Sequence, residues 1–199
     1  VVEPDTFWAC TTCGWCETAC PVLIENIPRL IDLRRQQVLV ESAMPDEAAR
    51  VFKNIETQGN PWGIGSNKRA EWCEDLQVPR ASEGDFEWLF FVGCAGSFDD
   101  RQKKVSRAIV QILREAQVKF AILGEEETCT GDAARRLGNE YLFQMQATAT
   151  VETMNGHGVK KVITQCPHCL NTIKNELPQF GGNYEVVHHS ELISRLVAE

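Results

Sequence analysis

The sequence predicts an α/β protein in which a small helical N-terminal region precedes a cysteine-rich α/β domain with a mostly parallel sheet. Three observations predict this class. From residue 86 onward, short apolar runs of strand length alternate with segments of helical spacing. Before residue 60 the apolar residues follow helical spacing alone. The nine cysteines fall mostly into two groups, one in each part.

Composition excludes several classes of protein. The 199 residues are 43% hydrophobic and 24% charged, which is typical of a folded globular chain rather than a disordered one. A net charge of −8 leaves no basic stripe to neutralise phosphates, so we expect no nucleic-acid partner. Nine is an odd number of cysteines, and in a chain of this size they favour metal or redox chemistry over a disulfide framework. No targeting segment is visible, which predicts a cytoplasmic location.

Residues 1–58 are predicted to form the helical region. Pro45, followed by two acidic residues, indicates the start of a helix with the proline at its first position. The apolar stripe of this helix consists of Ala48, Val51, Phe52 and Ile55. Residues 59–85 are rich in Gly, Pro and Trp and are predicted to form an irregular connector.

Residues 86–199 are predicted to form the α/β domain. Its predicted strands are 86–93, 118–123, 159–165 and 184–187. Its predicted helices are 99–117, 132–155 with a break at Gly138, 168–177, and a last helix capped by Ser190. Alternating strands and helices imply βαβ units, so the carboxyl ends of the strands should share one edge of a parallel sheet.

The first cysteine group has the spacing C-x2-C-x2-C-x3-C-P. It consists of Cys10, Cys13, Cys16 and Cys20, with Pro21 directly after. This spacing is typical of a [4Fe–4S] cluster. Three of the thiolates would bind one cluster and need a fourth ligand from elsewhere, whereas Cys20 would serve a second cluster. A four-cysteine zinc knot, which also uses C-x2-C pairs, is the alternative.

The second cysteine group follows the first three predicted strands. It consists of Cys94, Cys129, Cys166 and Cys169. Because the strand ends should meet at one edge, we expect these thiols to meet there at a second metal centre. One alternative is that Cys94 and Cys129 are ordinary core residues. Another is that the C-x2-C pair is a thioredoxin-like thiol–disulfide site, which the two preceding strand–helix units argue against.

Other residues near these groups are assigned structural roles. Cys73 lies among acidic residues, which would raise the pKa of its thiol and disfavour reactivity. Glu125, Glu126 and Glu127 are predicted to form a solvated loop. Gly93 is predicted to allow a close approach of the backbone to a cluster.

Five stretches of sequence support a resemblance to a known family. They are 10–21, 59–63, 91–97, 129–132 with 135–140, and 166–172. Together they resemble the heterodisulfide-reductase-related iron–sulfur oxidoreductases that carry cysteine-rich CCG domains. The likeness is strongest to the bacterial membrane-anchored members linked to electron-transfer flavoprotein and quinone.

The resemblance implies a ferredoxin-like fold for residues 1–58 and one CCG-type α/β domain for residues 86–199. Thr130 stands where the CCG motif has its second cysteine, so four thiolates are left for an ordinary iron–sulfur cluster or for zinc. A further ferredoxin run and a second CCG repeat of the family pattern are missing. We therefore expect the chain to be a piece of a longer polypeptide.

The function implied by the resemblance is electron transfer through iron–sulfur clusters. The expected donor is a flavoprotein, such as electron-transfer flavoprotein or a flavin dehydrogenase subunit. The expected acceptor is quinone-linked or thiol-linked, with attachment to the cytoplasmic face of a membrane through other segments as one possibility. Two alternatives stay open: a catalytic heterodisulfide reductase subunit, and a non-redox domain that binds zinc and docks partners.

Overall fold

The computed structural model describes residues 3–198. Its N-terminal part contains the helices α1 (Pro4–Trp8), α2 (Trp15–Thr18), α3 (Ile27–Arg35) and α4 (Asp46–Gln58). A π-helical turn over Gln36–Val40 continues α3. Pro45 is the residue before α4 rather than its first residue. The helix ends at Gln58 and is capped by Gly59, whose φ of 64° suits glycine.

The α/β fold class is confirmed, because a four-stranded sheet with all strands parallel follows. Its strands are β1 (Trp88–Phe91), β2 (Phe120–Ala121), β3 (Lys161–Thr164) and β4 (Glu185–His188). Their order across the sheet is β2-β1-β3-β4. The two central strands, β1 and β3, pair in register from Trp88 with Lys161 to Phe91 with Thr164. All four carboxyl ends therefore lie at one edge of the sheet.

Alternate residues of β1 enter two different hydrophobic clusters. Leu89 and Phe91 pack with residues of α4 and α8 on one face. Trp88 and Phe90 pack with the connector and α6 on the other face. The sheet is thus covered on both sides, which explains why the central strand β1 is apolar throughout.

The remaining helices surround the sheet. They are α5 (Gly93–Phe98), α6 (Asp100–Glu115), α7 (Asp132–Arg136), α8 (Glu140–Gly156), α9 (Pro167–Asn171) and α10 (His189–Ala198). The predicted break at Gly138 is confirmed, since this residue has a φ of 91° between α7 and α8. The prediction that Ser190 caps the last helix was wrong. α10 begins at His189, directly after β4, and the Ser190 hydroxyl instead hydrogen-bonds His188 Nδ1 at 2.7 Å.

The connector, residues 59–85, packs against the sheet. Trp72 and Cys73 are buried in the cluster that also contains Phe90. The Gly59 carbonyl accepts a hydrogen bond from the Cys129 backbone N–H at 2.8 Å. The connector contains three short 3-10 helices (Ser66–Lys68, Glu71–Leu76 and Ala81–Glu83) and is part of the core. No helix within residues 3–198 has the length and apolar composition needed to span a bilayer.

Candidate metal centre

The second cysteine group lines one cavity at the carboxyl edge of the sheet, which we call the central cavity. Cys94 is in the first turn of α5, and Cys129 is in the loop after β2. Cys166 precedes α9 and Cys169 lies within it. All four line the central cavity, which has a volume of about 420 Å³. Only Cys166 is half-buried, and the other three are buried.

The four thiols interact as two pairs. A hydrogen bond with Cys129, helped by the charge of Arg69, lowers the pKa of Cys94 to about 7. A hydrogen bond with Cys169, helped by backbone N–H groups at the start of α9, lowers the pKa of Cys166 to about 6. The pKa values of Cys129 and Cys169 are raised in turn. Each pair thus contains one thiol that ionises readily, and the thiolate is the form that binds metals.

Arg69 and Glu127 form a buried ion pair beside Cys94. Arg69 Nη2 lies 2.8 Å from Glu127 Oε1 and 3.4 Å from Cys94 Sγ. The Glu127 carboxylate also accepts hydrogen bonds from the backbone N–H groups of Val92 and Gly93, at 2.8 and 2.9 Å. Glu127 is only 2% exposed, so its prediction as part of a solvated loop was wrong.

Gly93 brings the backbone close to the second cysteine group. Its φ is 76°, which disfavours any residue with a Cβ. A Cβ at this position would lie 3.2 Å from Cys169 Sγ. The glycine therefore provides both the turn after β1 and the room for the thiol.

His168, which stands between Cys166 and Cys169 in the sequence, belongs to a polar network centred on Asp132. His168 Nδ1 is 2.9 Å from Asp132 Oδ2, and this hydrogen bond raises the pKa of the imidazole. The same carboxylate accepts a hydrogen bond from the Thr172 hydroxyl at 3.3 Å and pairs with Arg136. Asp132 is therefore a first-turn residue of α7 that also orients His168.

The first cysteine group is much more exposed. Cys13 and Cys16 are exposed, and Cys10 and Cys20 are half-buried. Cys10 lines the central cavity together with the second cysteine group. Cys13 instead lines a smaller neighbouring pocket that includes Asp132 and His168.

Local backbone N–H groups point at sulfur atoms of the first group. The N–H of Thr12 donates to Cys10 Sγ, and that of Ile24 donates to Cys20 Sγ, both at 3.3 Å. Backbone hydrogen bonds lower the pKa of Cys20, with Ile24 the largest contributor. The pKa of Cys13 is lowered in the same way, mainly by the N–H of Trp15. These thiols are prepared to ionise, and they are more exposed than those of the second group.

Arg34 is a buried cation where the helical region meets α7. Its guanidinium donates to the carbonyl oxygens of Phe7, Cys10 and Arg136 at 2.6, 2.5 and 2.8 Å. Every hydrogen bond that it makes within residues 3–198 goes to a carbonyl oxygen. Arg34 also lines the central cavity. A buried cation of this kind favours an anionic group nearby.

The residues around the central cavity fit a thiolate-ligated iron–sulfur cluster. Thiolates are the usual ligands of such clusters, and each binds a different iron. Within residues 3–198, no three Cys, His, Asp or Glu side chains converge on a point that could hold a single metal ion. A zinc site would need four ligands around one ion, with Zn–S distances of about 2.3 Å. Thr130, which is 2% exposed, lines the cavity without adding a thiolate.

Sequence reasoning missed three charged residues of this site. They are Arg34, Arg69 and Glu127. Arg34 and Arg69 lie in polar stretches with no motif around them. Glu127 is one of three consecutive glutamates, and nothing in that run indicates which of them turns inward.

Comparison with known proteins supports the assignment of the α/β half. Residues 88–174 match the family model of the CCG cysteine-rich domain. The EtfAB:quinone oxidoreductase of Syntrophomonas wolfei is 47% identical over 205 residues, which cover 100% of this chain and 29% of that protein. A Chromohalobacter salexigens protein named "Probable membrane-anchored ferredoxin" is 37% identical over 99% of this chain and 30% of its own length.

A more distant relative comes from Methanosarcina mazei. It is one of the polypeptides of the dihydromethanophenazine:CoB–CoM heterodisulfide reductase, and it is 29% identical over 98% of this chain and 48% of its own length. The chain thus spans less than half the length of each of these relatives. No solved structure matches the chain. The chain thus carries a CCG cysteine-rich domain, and over its whole length it is similar to proteins named as oxidoreductases, a heterodisulfide reductase among them.

Proposed function

We propose that this chain is an electron-transfer module of an iron–sulfur oxidoreductase. It would relay electrons from a flavoprotein or dehydrogenase donor to a quinone-linked or thiol-linked acceptor. The observation that carries the proposal is that Cys10 of the first cysteine group lines the same cavity as all four cysteines of the second group. Metal centres at the two groups would be neighbours, as a relay requires.

Each cysteine group has a distinct part in this proposal. Iron–sulfur clusters supply reversible one-electron transfer when bound. Three cysteines of the first group would hold one [4Fe–4S] cluster: Cys10, Cys13 and Cys16. Cys20 would contribute to a further cluster. The second group would hold a cluster in the central cavity, whose lining is mostly apolar.

The partners are proposed from the names of the relatives. The name EtfAB:quinone oxidoreductase supports an electron-transfer flavoprotein as donor and quinone as the final acceptor. The name "membrane-anchored ferredoxin" supports a location at the membrane face through segments other than the residues described here.

Metal analysis with EPR spectroscopy tests the proposal. The protein purified without oxygen should contain iron and sulfide at both cysteine groups and show two reducible signals. Cys166→Ser should remove the signal of the central cavity and leave the other. Cys73→Ser is the matched control, because Cys73 is buried outside the cavity and should leave both signals intact. Zinc in place of iron at the second group would support the docking alternative, and loss of both signals in Cys166→Ser would contradict two separate sites.

A catalytic disulfide reductase is the second candidate. One observation favours it: the His168–Asp132 pair places a protonatable side chain beside Cys166, the half-buried thiol of the second group. Such a group could protonate a thiolate product. A turnover assay of the intact protein with disulfide substrates separates the candidates, since a pure relay would show none.

A further inference from the structure

The buried ion pair beside Cys94 has a role that the electron relay leaves unassigned. Arg69 and Glu127 are each 2% exposed, so water does not screen their charges. The face of the Phe98 ring covers the Arg69 guanidinium, with 5.5 Å between Arg69 Cζ and the ring centroid. Burying two charges is costly, and a buried ion pair is weak evidence for stability by itself. The position of this pair points to a function at the sulfur atom.

Arg69 contacts the thiol of Cys94 and the carboxylate of Glu127 with the same nitrogen, Nη2. An arginine guanidinium stays protonated in proteins, so Arg69 is a permanent cation at this sulfur. Glu127 in turn binds the backbone at Val92 and Gly93, the two residues before Cys94, so the three groups form one unit.

We propose that Arg69, oriented by Glu127, sets the reduction potential of the iron–sulfur cluster bound at Cys94. Hydrogen bonds to cluster sulfurs and the net local charge are both known determinants of that potential. The N–H···S bond and the positive charge of Arg69 favour the reduced, more negative cluster. The carboxylate of Glu127 opposes this effect and holds the guanidinium in place. Arg69 is thus a positioning and tuning residue, and its role rests on the proposed function.

The two charges predict shifts of opposite sign. Arg69→Gln removes the cation, so the midpoint potential of the central-cavity cluster should move to a lower value. Glu127→Gln keeps one oxygen that can accept from Gly93 and Arg69, as Oε1 does, and loses the Oε2 acceptor of the Val92 N–H. It also removes the negative charge, so the potential should rise. The measurement is an anaerobic redox titration of the intact protein, followed by EPR. Arg107→Gln is the matched control, because Arg107 pairs with Asp75 at the surface and should leave the potential unchanged.

Shifts of opposite sign are a readout that a merely structural role would not produce. Unchanged potentials in both variants, or shifts in the same direction, would overturn the proposal. Should Arg69→Gln fail to bind a cluster, Arg69→Lys and Glu127→Gln decide the matter. Arg69→Lys keeps the charge and should lie near the wild-type potential, while an unchanged or lowered potential in Glu127→Gln contradicts the proposal.

The outcome also separates this inference from the proposed function. If the wild-type protein lacks iron and sulfide at the central cavity, the electron-relay proposal fails and the role of Arg69 fails with it. If the cluster is present and its potential does not respond to either charge, only the role of Arg69 fails.

Discussion

The two cysteine groups differ in how the fold treats them. The first group is compact in the sequence, spanning residues 10–20, yet its thiols are exposed or half-buried in the folded chain. The second group is spread over residues 94–169, yet the parallel sheet gathers its thiols around one cavity. The comparison shows that closeness in sequence and preorganisation in space are independent properties of a metal site.

The physical reason is the amount of buried surface behind each group. The second group lies next to strands and helices that contribute fully buried side chains to the core. Examples are Leu89, Phe91 and Ile173. Around the first group, Trp15, Val22 and Leu23 are largely exposed, and the helix α2 has no buried residue. We therefore expect a metal centre to contribute more to the order of the first group than to that of the second, which is attached to the core.

The largest expected effect tests this difference in burial. Phe90 is 0% exposed at the centre of the sheet, and Phe90→Ala should lower the free energy of unfolding by about 3–5 kcal/mol. Trp15, which is 70% exposed beside the first cysteine group, is the control, and Trp15→Ala should change it by less than about 0.5 kcal/mol. Denaturant unfolding of the two variants measures both. Equal losses would mean that the first group has a core of its own.

Two glycines of nearly equal backbone geometry sharpen the comparison. Gly93 and Gly14 have φ values of 76° and 75°, but only a Cβ on Gly93 would meet another side chain, at Cys169. The left-handed backbone costs each alanine variant about 1–2 kcal/mol. Gly93→Ala should lose more stability than Gly14→Ala, and it should also retain less iron in the central cavity.

Denaturant unfolding and iron content of the two glycine variants check this prediction. If Gly14→Ala lost more stability than Gly93→Ala, other atoms would have to contact Gly14 once the first group has bound its metal. Such a result would indicate that the first group is as crowded as the second once its metal is bound.

Binding of iron and sulfide should slow backbone hydrogen exchange more around the first cysteine group than in the sheet that carries the second. We expect hydrogen exchange of the backbone N–H groups of residues 10–24 to slow by about tenfold or more, equivalent to about 1.4 kcal/mol of local stabilisation. Exchange in β1 and β3 should hardly change, because the backbone hydrogen bonds between the two strands already protect them. Comparison of the loaded and metal-free protein by mass spectrometry measures this. Strong new protection in the strands would show that the sheet also depends on its cluster.

The smallest effect is expected outside both groups, at the surface pair of Asp75 and Arg107. A hydrogen bond from Arg107 lowers the pKa of Asp75 to about 2. Because the folded pKa is below the unfolded value, the pair stabilises the protein above pH about 4, and this contribution is lost as the pH falls towards 2. Asp75→Asn should remove this small acid-dependent part of the stability, as measured by unfolding at several pH values. A larger acid sensitivity that persists in the variant would have to come from other carboxylates.

The sequence predicted the architecture well because periodicity and turn residues report on the sheet directly. The apolar run around Phe90 and the alternation of strands with helices led to the parallel sheet, and with it to the position of Cys94, Cys129 and Cys166 at one edge. The convergence of these thiols follows from topology alone. That they bind a cluster is still a prediction.

The charged residues of the site were not predictable in the same way. Glu127 is buried and Glu125 is half exposed, although both belong to the same run of glutamates. The difference arises because only Glu127 meets the N–H groups after β1 and the guanidinium of Arg69, which is 58 residues away in sequence. Such a long-range pairing leaves no local pattern. The cap of α10 was misjudged for a simpler reason, since β4 continues into the helix without a loop.

The contacts of the connector with the core limit where the chain can be truncated or lengthened. The carbonyl of Gly59 accepts a hydrogen bond from the Cys129 N–H, and Arg69 donates one to Cys94 Sγ. Trp72 packs against Phe90. A gene fragment encoding only residues 86–199 would delete all three contacts and uncover an aromatic surface. Truncation experiments aimed at the sheet should therefore start at or before residue 59, and insertion of a flexible spacer within 59–85 should be poorly tolerated.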